Sequence, residues 1–327
     1  MSVVDRLRPD PPSPSAATVP PPSVAELDRL AARPVVGLAR PGRWIASLVA
    51  LVLLAQFLHA LVTNPIFQWA DFRYWFFRPI ILEGLVLTLK LTAISAVLGF
   101  LGGVVLALMR LSRSPLLQAT SWGYIWIFRS VPLIVLLLFL ANISALYSHL
   151  SIGIPFGAQF HRWDTISLLG YEAAAILGLS LNEAAYAAEI VRSGIISVDP
   201  GQTEAASALG LSRARQFRRI VLPQATRTIL PSYANQLIGL LKGTSVVYIT
   251  SLLELFGQVE TQASTNQGQV IPLLMVGTVW YIVLTSVLSV FQYYVERYFS
   301  RGSVRTLPQT PAQRILQITR TRRGIGR

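Results

Sequence analysis

Two charges of opposite sign lie deep in long apolar stretches of this chain. Glu183 and Lys242 each fall near the middle of a run long enough to cross a bilayer. A charge at the bilayer centre costs about 2.5–3.5 kcal/mol on insertion scales, so each calls for a partner or a wet cavity. An amino acid presents one carboxylate and one ammonium, and two opposite fixed charges would suit it. The alternative is an ion pair that locks two helices together. Further polar residues accompany both: Glu172, Asn182 and Glu189 around the first, and Asn235, Gln236, Thr244 and Ser245 around the second. Glu172, Glu183, Lys242, Thr244 and Ser245 are the candidate substrate-path residues. No nucleophile–base pair is evident, and His59, His149 and His161 are too scattered to suggest a metal cluster. An enzyme is therefore not expected.

The elements that must position these residues are membrane helices. Of 327 residues 53% are hydrophobic and 13% charged, where soluble domains hold about a quarter charged. Six apolar runs reach the roughly 20 residues that a spanning helix needs. They lie at about Trp44–Val62, Leu82–Met109, Tyr124–Leu146, Ile166–Ile190, Ile229–Leu253 and Ile271–Tyr293. The expected fold is all-α and polytopic. In the fourth run, Glu172 and Glu183 fall about 20° apart around a helix and share a face. Asn182 and Glu189 define another. Glu189 and Arg192, three apart, suit a local helix pair. Lys90 is expected to snorkel outward, and Arg129, close to Pro132, to be structural or to touch the loop helices. Gly99 and Gly103 form a G-x-x-x-G that favours close helix packing.

Lys and Arg counts set the orientation. With the N-terminus inside, the inner segments hold 22 and the outer loops 3 (Arg73, Arg78 and Arg162). Both termini are thus expected in the cytoplasm. The net charge of +13 then reflects this bias and does not call for nucleic acid. Residues 1–42, rich in proline, read as a disordered tail. Residues 43–63 read as an additional helix, and 299–327 as a basic tail near anionic headgroups. An outer segment, 64–78, carries seven aromatic residues from Phe67 to Phe77 and suits the water–lipid interface.

The inner loop, about residues 193–228, has helix-forming composition. Ala205, Ala206, Ala208 and Leu209 favour a first helix, which Gly210 should end in a backbone shape that a Cβ disfavours. Ser212 can cap a second helix, Arg213 to Val221, with Pro223 expected to stop it. Spacing alone leaves open a basic helix adsorbed on lipid.

The spacing Glu204-Ala205-Ala206, Gly210, Ile220, Leu222-Pro223 resembles the EAA loop of ABC-type importer permeases. The stretches TLKLTAISAVLG, AAYAAEIVRSGIISVDPGQTEAASALGLS, IVLPQATRTILP and NQLIGLLKGTSV resemble the polar amino acid uptake branch, over roughly residues 80–298. The resemblance implies a permease subunit of a bacterial inner-membrane importer, with five core helices. It also implies a second permease, identical or not, a periplasmic solute-binding protein, and a separate ATPase that holds ATP and Mg²⁺. No cofactor is implied on this chain, and it has no G-x-x-x-x-G-K-[ST] loop of its own. Glu204, Ala205, Ala206, Gly210, Ile220, Leu222 and Pro223 would couple it to the ATPase, as an amphipathic helix does in a groove. A secondary transporter is the competing reading. Such proteins often show paired repeats; none is evident, and the loop would go unexplained.

Overall fold

A computed structural model describes residues 23–25, 41–154, 157 and 159–299. The expected tails, 1–42 and 299–327, fall almost wholly outside the described residues. The chain divides into two units, 1–63 and 64–327. In the first, α1 (Pro41–Thr63) is a 23-residue helix, about 35 Å long at 1.5 Å per residue. It covers the first expected span.

The second unit opens on a turn in which Asn64 accepts a hydrogen bond from the Ile66 N–H at 3.0 Å. Helix α2 (Trp69–Phe76) follows, then α3 (Pro79–Arg110). The aromatic segment is more than an interfacial belt. Trp75 donates from Nε1 to Gln269 at 2.7 Å, and Phe76 stacks on Trp280 with centroids 4.8 Å apart. Tyr74 and Phe77 remain exposed.

The expected third span is not one helix. α4 (Pro115–Ser130) and α5 (Leu133–Ala141) meet at 99°. Val131 precedes Pro132 and is extended, with ψ 126°, because the proline ring excludes the helical basin at the residue before it. A short α6 (Ile143–Leu146) leads to an antiparallel hairpin, β1 (His149–Gly153) and β2 (Gln159–Asp164). No strand was expected there. Its ends are tied by His149 Nδ1 and Asp164 at 2.7 Å. After α7 (Thr165–Leu168) comes α8 (Tyr171–Ile196).

The loop after α8 holds α9 (Pro200–Ala208) and α10 (Arg213–Gln216). Pro223 does not stop the second helix. A π-helical turn, Phe217–Val221, carries α10 directly into α11 (Leu222–Gly243). Pro223 lies just after the wider π turn, which eases the ring's clash with the preceding turn. A 3-10 segment, Thr244–Thr250, leads to α12 (Leu255–Thr265), bent by 47°, and then to α13 (Val270–Phe299). Among the described residues, four helices could each cross a membrane, or six spans if each bent pair counts as one.

Lipid gives apolar side chains no drive to associate with each other, so packing and interhelical hydrogen bonds must hold the helices. The central contact is α3 on α8. A Cβ on Gly103 would stand 2.5 Å from Ala187 Cβ, so the G-x-x-x-G is a true close approach. Leu91, Leu137, Leu179, Leu240 and Val247 bury together and join α3, α5, α8 and α11. Tyr233 donates to Ala96 O at 2.6 Å, and Tyr124 to Leu181 O at 2.9 Å.

Candidate functional site

The loop of α9 and α10 forms an exposed knob. Asp199 caps α9 by accepting from the Gly201 N–H at 2.8 Å. At the other end, the Leu211 N–H reaches Ala206 O at 3.1 Å and the Gly210 N–H reaches Ser207 O at 3.0 Å. Those two bonds, with Gly210 at φ +72°, make a Schellman ending. The expected backbone shape at Gly210 is therefore present. Ser212 makes no capping bond. Gln216 ties the two short helices together instead, donating to Leu211 O at 2.7 Å and to Ser207 Oγ at 3.0 Å. Glu204 and Ala205 are exposed and Ala206 is buried. Leu222 and Pro223 are exposed, and Ile220 is half-buried. Leu209, absent from the expected set, is 82% exposed at the tip. A large apolar side chain presented to water on a structured knob suits a partner's groove.

Helix α11 carries a second feature. Gln224, Thr228, Ser232, Asn235, Gly239 and Lys242 are all exposed, and their spacing confines them to about 80° of the helix surface. The opposite side buries Ala225, Ile229, Tyr233 and Leu241. Polar groups on a spanning helix face protein or a water-filled cavity, because lipid cannot hydrogen-bond them.

Beside this stripe is a cleft of about 400 Å³, whose lining includes Arg129, Asn182, Glu183, Tyr186, Gln236 and Gly239. Glu183 is 2% exposed. Its Oε2 accepts from Gln236 Nε2 at 3.2 Å, and its Oε1 accepts no hydrogen bond from the protein. A buried carboxylate oxygen without a donor calls for a further partner, water included. Arg129 reaches the same cleft, with its guanidinium 5.4 Å from the centre of the Tyr186 ring, within cation–π range. The cleft thus pairs one negative and one positive group.

The expected ion pair of Glu183 with Lys242 does not form among the described residues. Lys242 lines a separate cleft of about 330 Å³ with Phe256 and Tyr281. Arg129 supplies the positive charge near Glu183 because the break at Pro132 leaves it at the end of α4. Thr244 is fully buried and donates to Leu241 O at 2.7 Å, while Ser245 donates to Lys242 O at 2.8 Å. Both hydroxyls bond back to their own helix, and neither residue lines the Glu183 cleft. Glu172 pairs with Lys90 at 2.5 Å, so Lys90 does not simply snorkel. The two expected faces of α8 are present. Glu172 and Glu183 turn towards α3. Asn182 and Glu189 turn towards α4: Asn182 donates to Phe128 O at 2.9 Å, and Glu189 lines a cleft with Trp122, Trp126 and Arg129. Glu189 also holds Arg192 at 2.8 Å.

Residues 99–301 match the family model described as binding-protein-dependent transport system inner membrane component. The arginine transport system permease protein ArgU of Corynebacterium glutamicum is 42% identical over 287 residues, 87% of this chain and 88% of its own. The nopaline transport system permease protein NocM of Agrobacterium fabrum is 36% identical over 212 residues, 64% and 84% of the two chains. The glutamate/aspartate import permease protein GltK of Escherichia coli is 35% identical over 219 residues, 67% and 93%. Among solved structures, an amino acid ABC transporter has TM-score 0.57 at 32% identity, covering 67% of this chain and 94% of its own. The MetNI methionine ABC transporter, at 21% identity and TM-score 0.55 over 67% and 96% of the two chains, shares the fold.

Proposed function

The chain belongs to the binding-protein-dependent transport system inner membrane components, and we propose that it forms one half of the membrane passage of an ATP-driven importer for a polar amino acid. The chain is a multi-pass membrane permease. Placement in the bacterial inner membrane, ATP hydrolysis on a separate subunit and delivery by an external binding protein complete this reading.

The knob of α9 and α10 is the handle. Glu204, Ala205 and Leu209 are presented to the ATPase groove, and the Schellman ending at Gly210 fixes the angle between the two helices. Both of its neighbours run into the membrane. α8 carries Glu183 towards the loop, and α11 leads from it through the stripe to Lys242. Gly194 of α8 lies against Ile229 of α11 with no room for a Cβ, so the two helices move together at their inner ends. A displacement of the knob is therefore carried towards Gln236 and Gly239, where α11 forms one wall of the cleft.

Arginine and glutamate, named for two of the relatives above, have side chains of opposite charge but share the α-ammonium and the α-carboxylate. The cleft's charges suit those common groups. Glu183 is assigned to the ammonium and Arg129 to the carboxylate. The observation that carries this is that the buried Glu183 and Arg129 line one cleft. Uptake into proteoliposomes holding the chain and its ATPase, with the binding protein supplied, tests it. Glu183→Gln and Arg129→Met should each raise the solute concentration for half-maximal uptake. Unchanged uptake in both overturns the assignment.

A further inference from the structure

The transport reading leaves one charged cleft unused. It measures about 220 Å³, and Arg110, Trp122, Trp126, Arg129 and Glu189 line it. Arg110 is the last residue of α3. That helix has 32 residues, about 48 Å at 1.5 Å per residue, against a hydrocarbon core of about 30 Å. A charged residue at its very end therefore lies among the headgroups. Trp122 and Trp126 are two and three turns into α4. Their rings stack at 3° with centroids 6.1 Å apart, and both are more than half exposed. Leu116, Leu117 and Ile127 of the same helix are exposed too. α4 thus shows an apolar, indole-bearing surface to its surroundings, and indoles favour the boundary between headgroups and hydrocarbon.

The charges of the cleft leave a positive excess. Arg192 donates to Glu189 Oε2 from Nε at 3.0 Å and from Nη2 at 2.8 Å, which offsets that carboxylate. Among the described residues neither Arg110 nor Arg129 forms an ion pair. Arg129 also lines the Glu183 cleft, so it lends potential here and is not needed as a ligand. Arg110 is free to be one. A guanidinium presents a planar fork that matches two oxygens of a phosphate, and basic pockets between membrane helices hold anionic headgroups. A soluble anion would have no use for the stacked indoles beside the arginine. An amphiphile uses both.

We propose that this cleft is a binding site for an anionic phospholipid, with Arg110 holding the phosphate and the Trp122–Trp126 pair carrying the glycerol and the upper acyl chains. The site does not depend on the importer reading.

Quenching of tryptophan fluorescence tests this on the purified full chain in phosphatidylcholine bilayers. A small fraction of brominated phosphatidylglycerol should quench more than the same fraction of brominated phosphatidylcholine. The excess should vanish when Trp122→Phe and Trp126→Phe are combined. Arg110→Gln should lower the preference for phosphatidylglycerol on the order of tenfold, the loss expected for one charged hydrogen bond. Arg110→Lys keeps the charge without the fork. It should lower the preference less, and it serves if Arg110→Gln does not fold. Arg113→Gln, in the turn between α3 and α4 and outside the cleft, should leave the preference intact. Equal quenching by the two lipids overturns the site, as does an excess that survives without the two indoles. A loss in Arg113→Gln as large as in Arg110→Gln overturns it too, since the attraction would then be the diffuse field of a basic surface. Displacement of the brominated lipid by inorganic phosphate or glycerol 3-phosphate would make it a site for a soluble anion. No quenching of Trp122 and Trp126 by either lipid would mean that another protein surface covers this face. Either result overturns the lipid assignment.

Discussion

Gly99 of α3 lies so close to Glu183 of α8 that a Cβ on the glycine would stand 2.6 Å from the glutamate's own Cβ. The helix contact and the cleft are therefore one feature. The missing side chain at Gly99 lets α8 approach, and that approach sets the depth at which Glu183 meets Gln236.

Gly99→Val should therefore weaken both stability and uptake. Overpacking of this kind costs about 1–3 kcal/mol. Gly123→Ala is the matched control, because a Cβ there meets nothing within 4 Å. Thermal unfolding in detergent should show a clear loss for Gly99→Val and none for Gly123→Ala. Equal behaviour of the two would mean that the α3–α8 contact does not set the cleft.

Glu183 and Lys242 line different clefts, so their effects on transport should add. In a double-mutant cycle of Glu183→Gln and Lys242→Met, the combined loss should equal the sum of the single losses to within about 0.5 kcal/mol. Glu183→Gln with Arg129→Met should depart from additivity, because both act on one solute. Strong coupling between Glu183 and Lys242 would restore the direct pairing that the sequence suggested.

The knob can be tested without measuring transport. Gly210→Val places a branched side chain at φ +72°, which costs about 1–2 kcal/mol, and Asp199→Ala removes a cap worth about 0.5–2 kcal/mol. Both should lower the affinity of the membrane chain for its ATPase, measured by co-purification. Gly210→Asn should retain more than Gly210→Val, since asparagine tolerates the left-handed shape. Equal retention by all three would show that the angle between α9 and α10 does not matter.

Features set by neighbours along the chain were legible in the sequence. Gly210 follows from the alanine-rich run it ends, the Glu189–Arg192 pair from a three-residue spacing, and the two faces of α8 from helical periodicity. The close approach at Gly99 and Gly103 was legible because small residues four apart have few other uses in a span. What was not legible depends on bends. Pro132 announces a break but not its 99° angle, and Arg129 shares a cleft with Glu183 because α4 packs on α8 through Phe128 and Asn182. Pro223 looked like a stop because the π turn that accommodates it has no sequence signature of its own. Thr244 and Ser245 looked available to a solute, yet each hydroxyl bonds to its own helix. Glu254 stands at the 47° bend before α12, where no helical periodicity points to its partners. Its four donors come in part from Thr88 and Tyr281, which only the packed structure brings near.

Drive by an external ATPase that grips the knob at Glu204 is the step on which the proposed import depends. It is measured as solute uptake into proteoliposomes that hold the chain and its ATPase, with the binding protein supplied and the proton gradient collapsed, for the unmodified chain and for Glu204→Lys. The unmodified chain with its ATPase should keep importing while ATP is present and stop when ATP is depleted. Glu204→Lys should neither retain the ATPase nor import. Uptake by the chain alone, driven by a proton gradient and indifferent to Glu204→Lys, would contradict it.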